Sequence, residues 1–261
     1  MTYRIATLLT LALSISLSLV HVASATKPSP EIKQTGSKKQ TRKKSKKKAK
    51  LRPEFRAIQD NPKLPRVLLI GDSISMGYTL PVRRLLAGKA NVHRISVNGG
   101  NTVRGLENLD AWLGDKPWDV IHFNWGLHDL KRLKNGKPDS SRPCVLSAED
   151  YAKNLDKLVT RLKKTGATLI WATTTPIPKG SAGRIQGDEV VYNRAAAQVM
   201  AKHGVKVNDL HGHIMPKLSK AQRPNNVHFT KKGSELLANQ VAKVVADSLA
   251  DRKSTGSMKE E

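Results

Sequence analysis

The chain has 261 residues, one cysteine and a formal net charge of +25. This length allows one domain of ordinary size with extensions, or two small domains. The lone Cys144 excludes an internal disulfide bond. The core must therefore be held together by burial of apolar side chains, which a domain of this size can supply.

The first 25 residues have the pattern of a cleavable signal peptide. Arg4 precedes an apolar run from Ile5 to Val20, and the sequence Ala-Ser-Ala at 23–25 is the small-x-small pattern of a cleavage site. An apolar run of this length, interrupted by serines, is short for a membrane span. We therefore expect a signal peptide over 1–25 and export to the periplasm or out of the cell.

A basic segment follows over residues 26–65. Between residues 26 and 66 the chain has 15 Lys and Arg against 3 Asp and Glu, so about half of its net charge lies here. Its lysine-rich part has almost no apolar residue, which predicts a disordered linker. The linker either contacts an anionic polymer or surface or is a solvated spacer. A specific nucleic acid partner is not expected, because aromatic side chains are not interleaved with the charges.

From Arg66 onward, short apolar runs alternate with amphipathic stretches. The apolar runs predict five strands, over 66–72, 92–98, 119–126, 167–175 and 205–210. The other stretches predict helices over 80–87, 102–113, 148–164, 188–202 and 232–249. This alternation implies a three-layer α/β/α fold with a parallel five-stranded sheet. We expect the domain to span 66–251 and to be followed by a disordered tail over 252–261.

Polar residues follow the first four predicted strands at their carboxyl ends. In chain order they are Asp72 and Ser73, Asn98–Asn101, His128 and Asp129, and Thr173–Thr175. The carboxyl ends of parallel strands meet at one edge of a sheet, and ligands bind there in open α/β sheets. The sequence therefore predicts one site that collects these side chains.

Ser73 is the candidate nucleophile of this site. A serine hydroxyl needs a base within hydrogen-bonding reach and donors aimed at the oxyanion that forms. His228, in a polar loop before the last predicted helix, is the base that we select. In the alternative interpretation both residues only cap helices.

Four motifs occur in order along the chain, GDSISMG, NGGNT, GLHD and NNVHFT. Together they resemble the four blocks of the SGNH (GDSL-type) hydrolases, a flavodoxin-like family of esterases, lipases and carbohydrate acetylesterases. The likeness spans about residues 66–249. The resemblance implies that Ser73 is the nucleophile and that its backbone N–H belongs to the oxyanion hole. It also implies that Gly100 gives a second backbone donor and that His228 is the general base and then the general acid.

Two positions depart from the family pattern. The third block usually reads Gly-x-Asn-Asp, and here His128 stands where the asparagine amide completes the oxyanion hole; a neutral imidazole can also donate one N–H. The last block usually has an aspartate three residues before the histidine, and here that residue is Asn225, which can orient the histidine but carries no charge. Asp129, Asp188 and Asp209 could replace the acid, and spacing does not choose among them.

The sequence thus predicts an exported serine ester hydrolase that forms a Ser73 acyl-enzyme and needs no cofactor. Its expected substrate is an acyl ester, either an acetylated polysaccharide or a small ester. The alternatives are a weak or inactive carbohydrate-binding protein with the same fold, and a domain whose basic linker anchors it to an anionic surface.

Three further features suggest ligands less specifically. His211 and His213 invite a metal site, but without a nearby set of Cys or carboxylate ligands we expect them to be solvated and predict no metal. Trp125, at a strand end, could line a sugar-binding face. The basic loops 131–145 and 176–188 suggest an anionic or polyhydroxyl ligand.

Overall fold

The computed structural model describes residues 51–257 of the chain. The predicted signal peptide, the linker up to residue 50 and residues 258–261 lie outside the described residues. Those parts of the domain assignment stay predictions.

The strands of the described residues are, in chain order, β1 (Arg66–Ile70), β2 (Asn91–Arg94), β3 (Val120–Phe123), β4 (Leu133–Lys134), β5 (Lys137–Pro138), β6 (Thr168–Ala172) and β7 (Lys206–Asn208). Five of them form a central parallel sheet in the order β2-β1-β3-β6-β7. β4 and β5 form a separate antiparallel pair inside the loop 131–145, which the sequence did not predict.

Apolar side chains on both faces of β1 form the centre of the core. Val67 to Ile70 are all buried, and Val67 is in register with Val92 of β2 and Val120 of β3. A continuous apolar run of this kind is typical of a parallel strand covered by helices on both sides. Burial of these side chains stabilises the fold without any disulfide bond.

Seven α-helices cover the sheet in the described part of the chain. They are α1 (Ser73–Leu85), α2 (Thr102–Leu113), α3 (Ala148–Lys163), α4 (Asp188–His203), α5 (Leu210–Ile214), α6 (Leu218–Ala221) and α7 (Lys231–Ser257). α1 packs against α7, and α3 packs against α2 and α4. The parallel sheet and its helices confirm the predicted three-layer α/β/α fold.

The ends of two helices differ from the prediction. α1 begins at Ser73 rather than near residue 80, because Asp72 caps it and Ile74, Tyr78 and Val82 are buried at helical spacing. This burial offsets the poor helix propensity of the glycine and the proline within the helix. α7 extends to Ser257, so the first six residues of the predicted disordered tail are helical. No helix between residues 51 and 257 is both long and apolar enough to cross a bilayer.

The last part of the predicted linker, residues 51–65, is folded onto the domain, and this corrects the sequence prediction. Residues Pro53–Phe55 form a short 3-10 helix, and Asp60 contacts both Arg66 and His93. The side chain of Asn91 holds the same segment through hydrogen bonds to the backbone of residues 61 and 64. Specific hydrogen-bonding partners on the domain therefore order this segment.

Candidate active site

Ser73 is the first residue of α1 and directly follows the turn after β1. Asp72 is buried and caps this helix, since its Oδ1 accepts a hydrogen bond of 2.8 Å from the backbone N–H of Ile74. The N–H groups at the start of a helix carry partial positive charge, which favours an anion beside them. The serine hydroxyl is therefore placed where negative charge is stabilised.

His228 lies within hydrogen-bonding distance of Ser73. The distance from His228 Nε2 to Ser73 Oγ is 2.8 Å, although the two residues are 155 positions apart in the chain. The loop carrying His228 is fixed before α7 by a bridge between Gln222 and Phe229. This is the arrangement of a hydroxyl nucleophile and its base.

The surroundings of His228 favour its neutral form. Partial burial lowers the pKa of the imidazole; Asp72 acts in the opposite direction, and the positive charges of Arg184 and Arg223 lower the pKa further. A neutral imidazole can accept the proton of the serine hydroxyl at and below neutral pH.

Asn226, and not Asn225, is the partner of the second ring nitrogen of His228. Its Oδ1 lies 2.7 Å from His228 Nδ1 and also accepts the backbone N–H of His228 at 3.0 Å. The backbone donor fixes the amide with its oxygen toward the ring, so Nδ1 carries the hydrogen and Nε2 presents its lone pair to Ser73.

The prediction for Asn225 is therefore wrong for this structure. Asn225 has a positive φ of 53°, and its Oδ1 faces Gly180 of the loop 176–188. The sequence held a signal for the correct residue, because an asparagine commonly binds the backbone N–H two positions later. The family spacing of three residues drew attention to the wrong asparagine.

The three aspartates that could replace the acid are all occupied elsewhere. Asp129 Oδ1 accepts the N–H and the hydroxyl of Thr102 at 2.9 and 2.5 Å. Asp188 pairs with Arg132 at 2.8 Å, and Asp209 caps α5. Asn226, a neutral residue, is therefore the group that orients the histidine.

The candidate oxyanion donors are not equally available. The backbone N–H of Ser73 has no hydrogen-bond acceptor among residues 51–257, and it starts α1. The backbone N–H of Gly100, in contrast, donates to Asn98 Oδ1 at 2.9 Å. Gly100 can serve an oxyanion only when Asn98 releases this N–H, so the structure as it stands does not offer that predicted donor.

His128 lies beside the site with its ring free of hydrogen bonds to the described residues. Burial lowers the pKa of His128; Asp72 raises it, and Arg184, Lys131 and, when protonated, His228 lower it again. The ring is thus neutral near pH 7 and has one N–H to donate. His128 lies close enough to His228 for a charge on one ring to affect the pKa of the other.

Close backbone contacts hold the loops of the site together. Gly99 donates its N–H to the carbonyl of Gly71 at 2.9 Å, and a Cβ at Gly99 would lie 2.9 Å from that oxygen. Gly126 has a φ of 152°, and a Cβ there would lie 2.1 Å from Thr174 Oγ1. Both glycines are required because no side chain fits at these approaches.

Arg94, at the end of β2, organises the turn before Ser73 and was not singled out in the sequence. This buried guanidinium donates to the carbonyls of Gly71 and Asp72 and to Ser75 Oγ, at 2.9 to 3.1 Å. It also donates to two carbonyls of the β2–α2 loop. Burial lowers its pKa to about 10, so it remains charged near neutral pH. An arginine near a strand end gives no sequence signal for this role.

Two clefts adjoin the candidate residues. One, of about 420 Å³, is lined by Ser73 and His228 together with Met76 and Phe229. The other, of about 480 Å³, is lined by Asn98, Gly100 and His128 among others. Both clefts are open to solvent, and Ser73 lines the first of them.

Burial tests the hypothesis about Trp125, and contacts show the surroundings of His211 and His213. Trp125 is fully buried, so it packs in the core and does not line a sugar-binding face. His211 lies 3.5 Å from Glu189, and His213 contacts the carbonyl of Leu236. Within residues 51–257, no group of three His, Cys, Asp or Glu side chains is arranged to hold a metal ion.

Comparison with known proteins gives one family and many similar folds. The sequence model of the GDSL-like lipase/acylhydrolase family matches residues 69–236. No curated protein matches the sequence. Among solved structures, the lipase/acylhydrolase from Enterococcus faecalis is 20% identical with a TM-score of 0.58, over 70% of this chain and 96% of that one.

Two acetyl xylan esterases are also similar in structure. Axe2 from Geobacillus stearothermophilus is 17% identical with a TM-score of 0.57, over 69% of this chain and 93% of that one. AlAXEase is 16% identical with a TM-score of 0.57, over 69% and 99% of the two chains. At these sequence identities the similarity shows that the proteins share a fold.

Proposed function

Because the chain belongs to the GDSL-like lipase/acylhydrolase family and is a carboxylic ester hydrolase, we propose that it cleaves esters through an acyl-enzyme on Ser73. The observation that carries the proposal is the 2.8 Å contact between Ser73 Oγ and His228 Nε2 at the N-terminus of α1. Nucleophile, base and a positively polarised helix end occur together there.

The residues of the site act in two half-reactions. Ser73 Oγ attacks the acyl carbon while its proton passes to His228 Nε2, and the negative charge on the acyl oxygen is stabilised by the Ser73 N–H and by His128. The His228 imidazolium then protonates the departing alcohol. Water, deprotonated by the same histidine, attacks the acyl-enzyme, and the imidazolium returns the proton to Ser73 Oγ as the acid is released.

Asn226 holds the histidine in the correct tautomer during both half-reactions. Its Oδ1 accepts the Nδ1–H of His228, so the proton is always exchanged at Nε2. A neutral asparagine orients the ring without stabilising its positive charge, as in the Cys-His-Asn arrangement of papain-like proteases. This predicts a working site of moderate rate.

The proposed substrate is an O-acetyl group on a polysaccharide. Two structural neighbours are named acetyl xylan esterases, and the open clefts beside Ser73 suit a polymer. We also propose that the protein is exported, on the strength of the apolar run and the Ala-Ser-Ala sequence near the N-terminus. N-terminal sequencing of the protein recovered outside the cytoplasm should begin at residue 26.

The test of the function is ester hydrolysis beside Ser73→Ala. Wild type should release acetate from 4-nitrophenyl acetate and acetylated xylan, and a serine-directed phosphonate should label Ser73, as read by mass spectrometry. Ser73→Ala should lose at least about 10³-fold in rate. Equal rates in the two proteins, or a folded wild type that takes no label, would refute the acyl-enzyme.

A second candidate function is carbohydrate binding without catalysis. The neutral Asn226 in the position of the orienting acid is the observation that favours it. In that case Ser73→Ala would bind acetylated xylan as tightly as wild type, and neither protein would release acetate from any ester tested.

A further inference from the structure

The walls of the two clefts, one lined by Ser73 and the other by His128, carry cations and no acidic side chains. Arg223 and Lys231 line the cleft that contains Ser73, and Arg104 and Lys131 line the one that contains His128. Arg52 also lines the first cleft, but it is paired with Glu54 at 2.6 Å. Four cations therefore face the two clefts, and no Asp or Glu lines either of them.

These four cations form no ion pair with any residue between 51 and 257. Elsewhere on the surface many cations are paired, for example Arg84 with Glu235, Arg161 with Asp110 and Lys243 with Asp247. A cation with no fixed partner remains available to an anion from solution. Other exposed cations, such as Lys89 and Lys157, are also unpaired within the described part of the chain, so what distinguishes these four is that they line two clefts without any acidic side chain.

Two local arrangements make this basic lining costly for the protein alone. Lys231 is the first residue of α7, whose first turn has no acidic residue, and a cation at the positive end of a helix is unfavourable. Burial lowers the pKa of Lys131, and the nearby positive charge of Arg184 lowers it further. Uncompensated like charges of this kind are common at binding sites for the opposite charge.

The geometry points to an acidic glycan as the carrier of the ester that Ser73 cleaves. This inference rests on the proposed function and narrows its substrate. Carboxylate or sulfate groups on sugars near the ester would be bound by Arg223 and Lys231 on one side and by Arg104 and Lys131 on the other. Arginine suits both groups, because its planar fork can donate two parallel hydrogen bonds to either of them.

The test compares acetylated polymers that differ in charge, with the full-length chain. The probes are acetylated xylan, a sulfated derivative of the same acetylated xylan, and acetylated polygalacturonate. At low salt, kcat/KM per acetyl group should be at least about 10-fold higher on an acidic polymer than on the neutral one, and the ratio should approach one in about 1 M NaCl. The sulfated and the carboxylated polymers show which anion is preferred.

Two double variants and a matched control assign the effect to the clefts. Arg223→Gln with Lys231→Gln, and Arg104→Gln with Lys131→Gln, should each lower the ratio of acidic to neutral polymer several-fold. Lys89→Gln with Lys157→Gln removes the same charge from exposed positions outside both clefts and should leave the ratio unchanged. Circular dichroism confirms that each variant is folded.

The outcomes separate this inference from the proposed function. Ser73-dependent hydrolysis of 4-nitrophenyl acetate with equal rates on acidic and neutral polymers would leave the esterase standing and overturn the acidic glycan. A preference for acidic polymers that persists in both double variants would also overturn it, since the basic segment before residue 51 would then be its source. If no ester is hydrolysed, binding of deacetylated polygalacturonate to Ser73→Ala, weakened in the double variants, would still support the acidic ligand.

Discussion

Asn226 determines how strongly the site can stabilise a charged histidine. Its Oδ1 contacts His228 Nδ1 at 2.7 Å, so an aspartate there would keep the contact and add a negative charge. We expect Asn226→Asp to raise kcat by about 10-fold or more, since the reverse change lowers serine protease turnover by about 10⁴ in the known example. Steady-state kinetics with 4-nitrophenyl acetate measures the change.

Asn226→Asp should also shift the pH dependence of kcat/KM. In wild type the lowered pKa of His228 means that kcat/KM rises with pH and that the midpoint of this rise lies below the usual pKa of about 6.5, because only the neutral ring accepts the proton. The added charge in Asn226→Asp should raise this apparent pKa. Asn225→Asp is the matched control, because the side chain of Asn225 faces Gly180 and not His228. This variant should change neither kcat nor the apparent pKa. A gain in Asn225→Asp alone would contradict the assignment.

His128 tests whether an imidazole completes the oxyanion hole. His128→Ala removes the N–H and should lower kcat by about 10² to 10³-fold with little change in KM, as loss of one oxyanion donor does elsewhere. His128→Asn restores an amide N–H and should recover most of the rate. His213→Ala, which alters a histidine bound to the carbonyl of Leu236, is the control. A His128→Ala enzyme with the wild-type rate would show that the His128 ring does not donate a hydrogen bond to the oxyanion.

At the scale of the elements, Arg94 joins the turn before α1 to the loop before α2. Arg94→Met keeps the length of the side chain but removes the donor from five acceptors, among them the carbonyls of Gly71 and Asp72. We expect the free energy of unfolding in urea to fall by about 2–4 kcal/mol, because buried acceptors lose a charged donor. The rate should fall as well, since the turn before Ser73 loosens.

Arg84→Met provides the control for this prediction. Arg84 forms an exposed pair with Glu235, and exposed pairs contribute about 0–1 kcal/mol. If the two variants unfold at the same urea concentration, the buried network of Arg94 does not stabilise the loops.

At the scale of the whole molecule, residues 51–65 belong to the folded domain. Phe55 lies 5.1 Å from the Arg94 guanidinium, and Asn91 is buried with three hydrogen bonds to this segment. A chain that begins at residue 66 should therefore lose at least about 2 kcal/mol of unfolding free energy relative to one that begins at residue 51. Denaturant unfolding of the two chains measures this, and equal stabilities would mean that the segment only rests on the surface.

The sequence by itself determined the fold and pointed to the main residues of the candidate site. Strands with a continuous apolar run, such as 67–70, and helices with periodic apolar residues, such as α2 and α3, are local patterns, so their positions and their alternation could be predicted. That alternation required a parallel sheet, and it placed Ser73 and His128 at one edge. The polar loop before the last predicted helix pointed to His228, and the four motifs supported that choice.

The tertiary structure decided which groups meet. The choice between Asn225 and Asn226 depends on a positive φ and a turn of two residues, and the use of Gly100 depends on the side chain of Asn98. Arg94, the folding of residues 51–65 and the unpaired cations of the clefts depend on contacts between distant parts of the chain. Such contacts carry no local pattern in sequence, because burial and pairing are properties of the packed molecule.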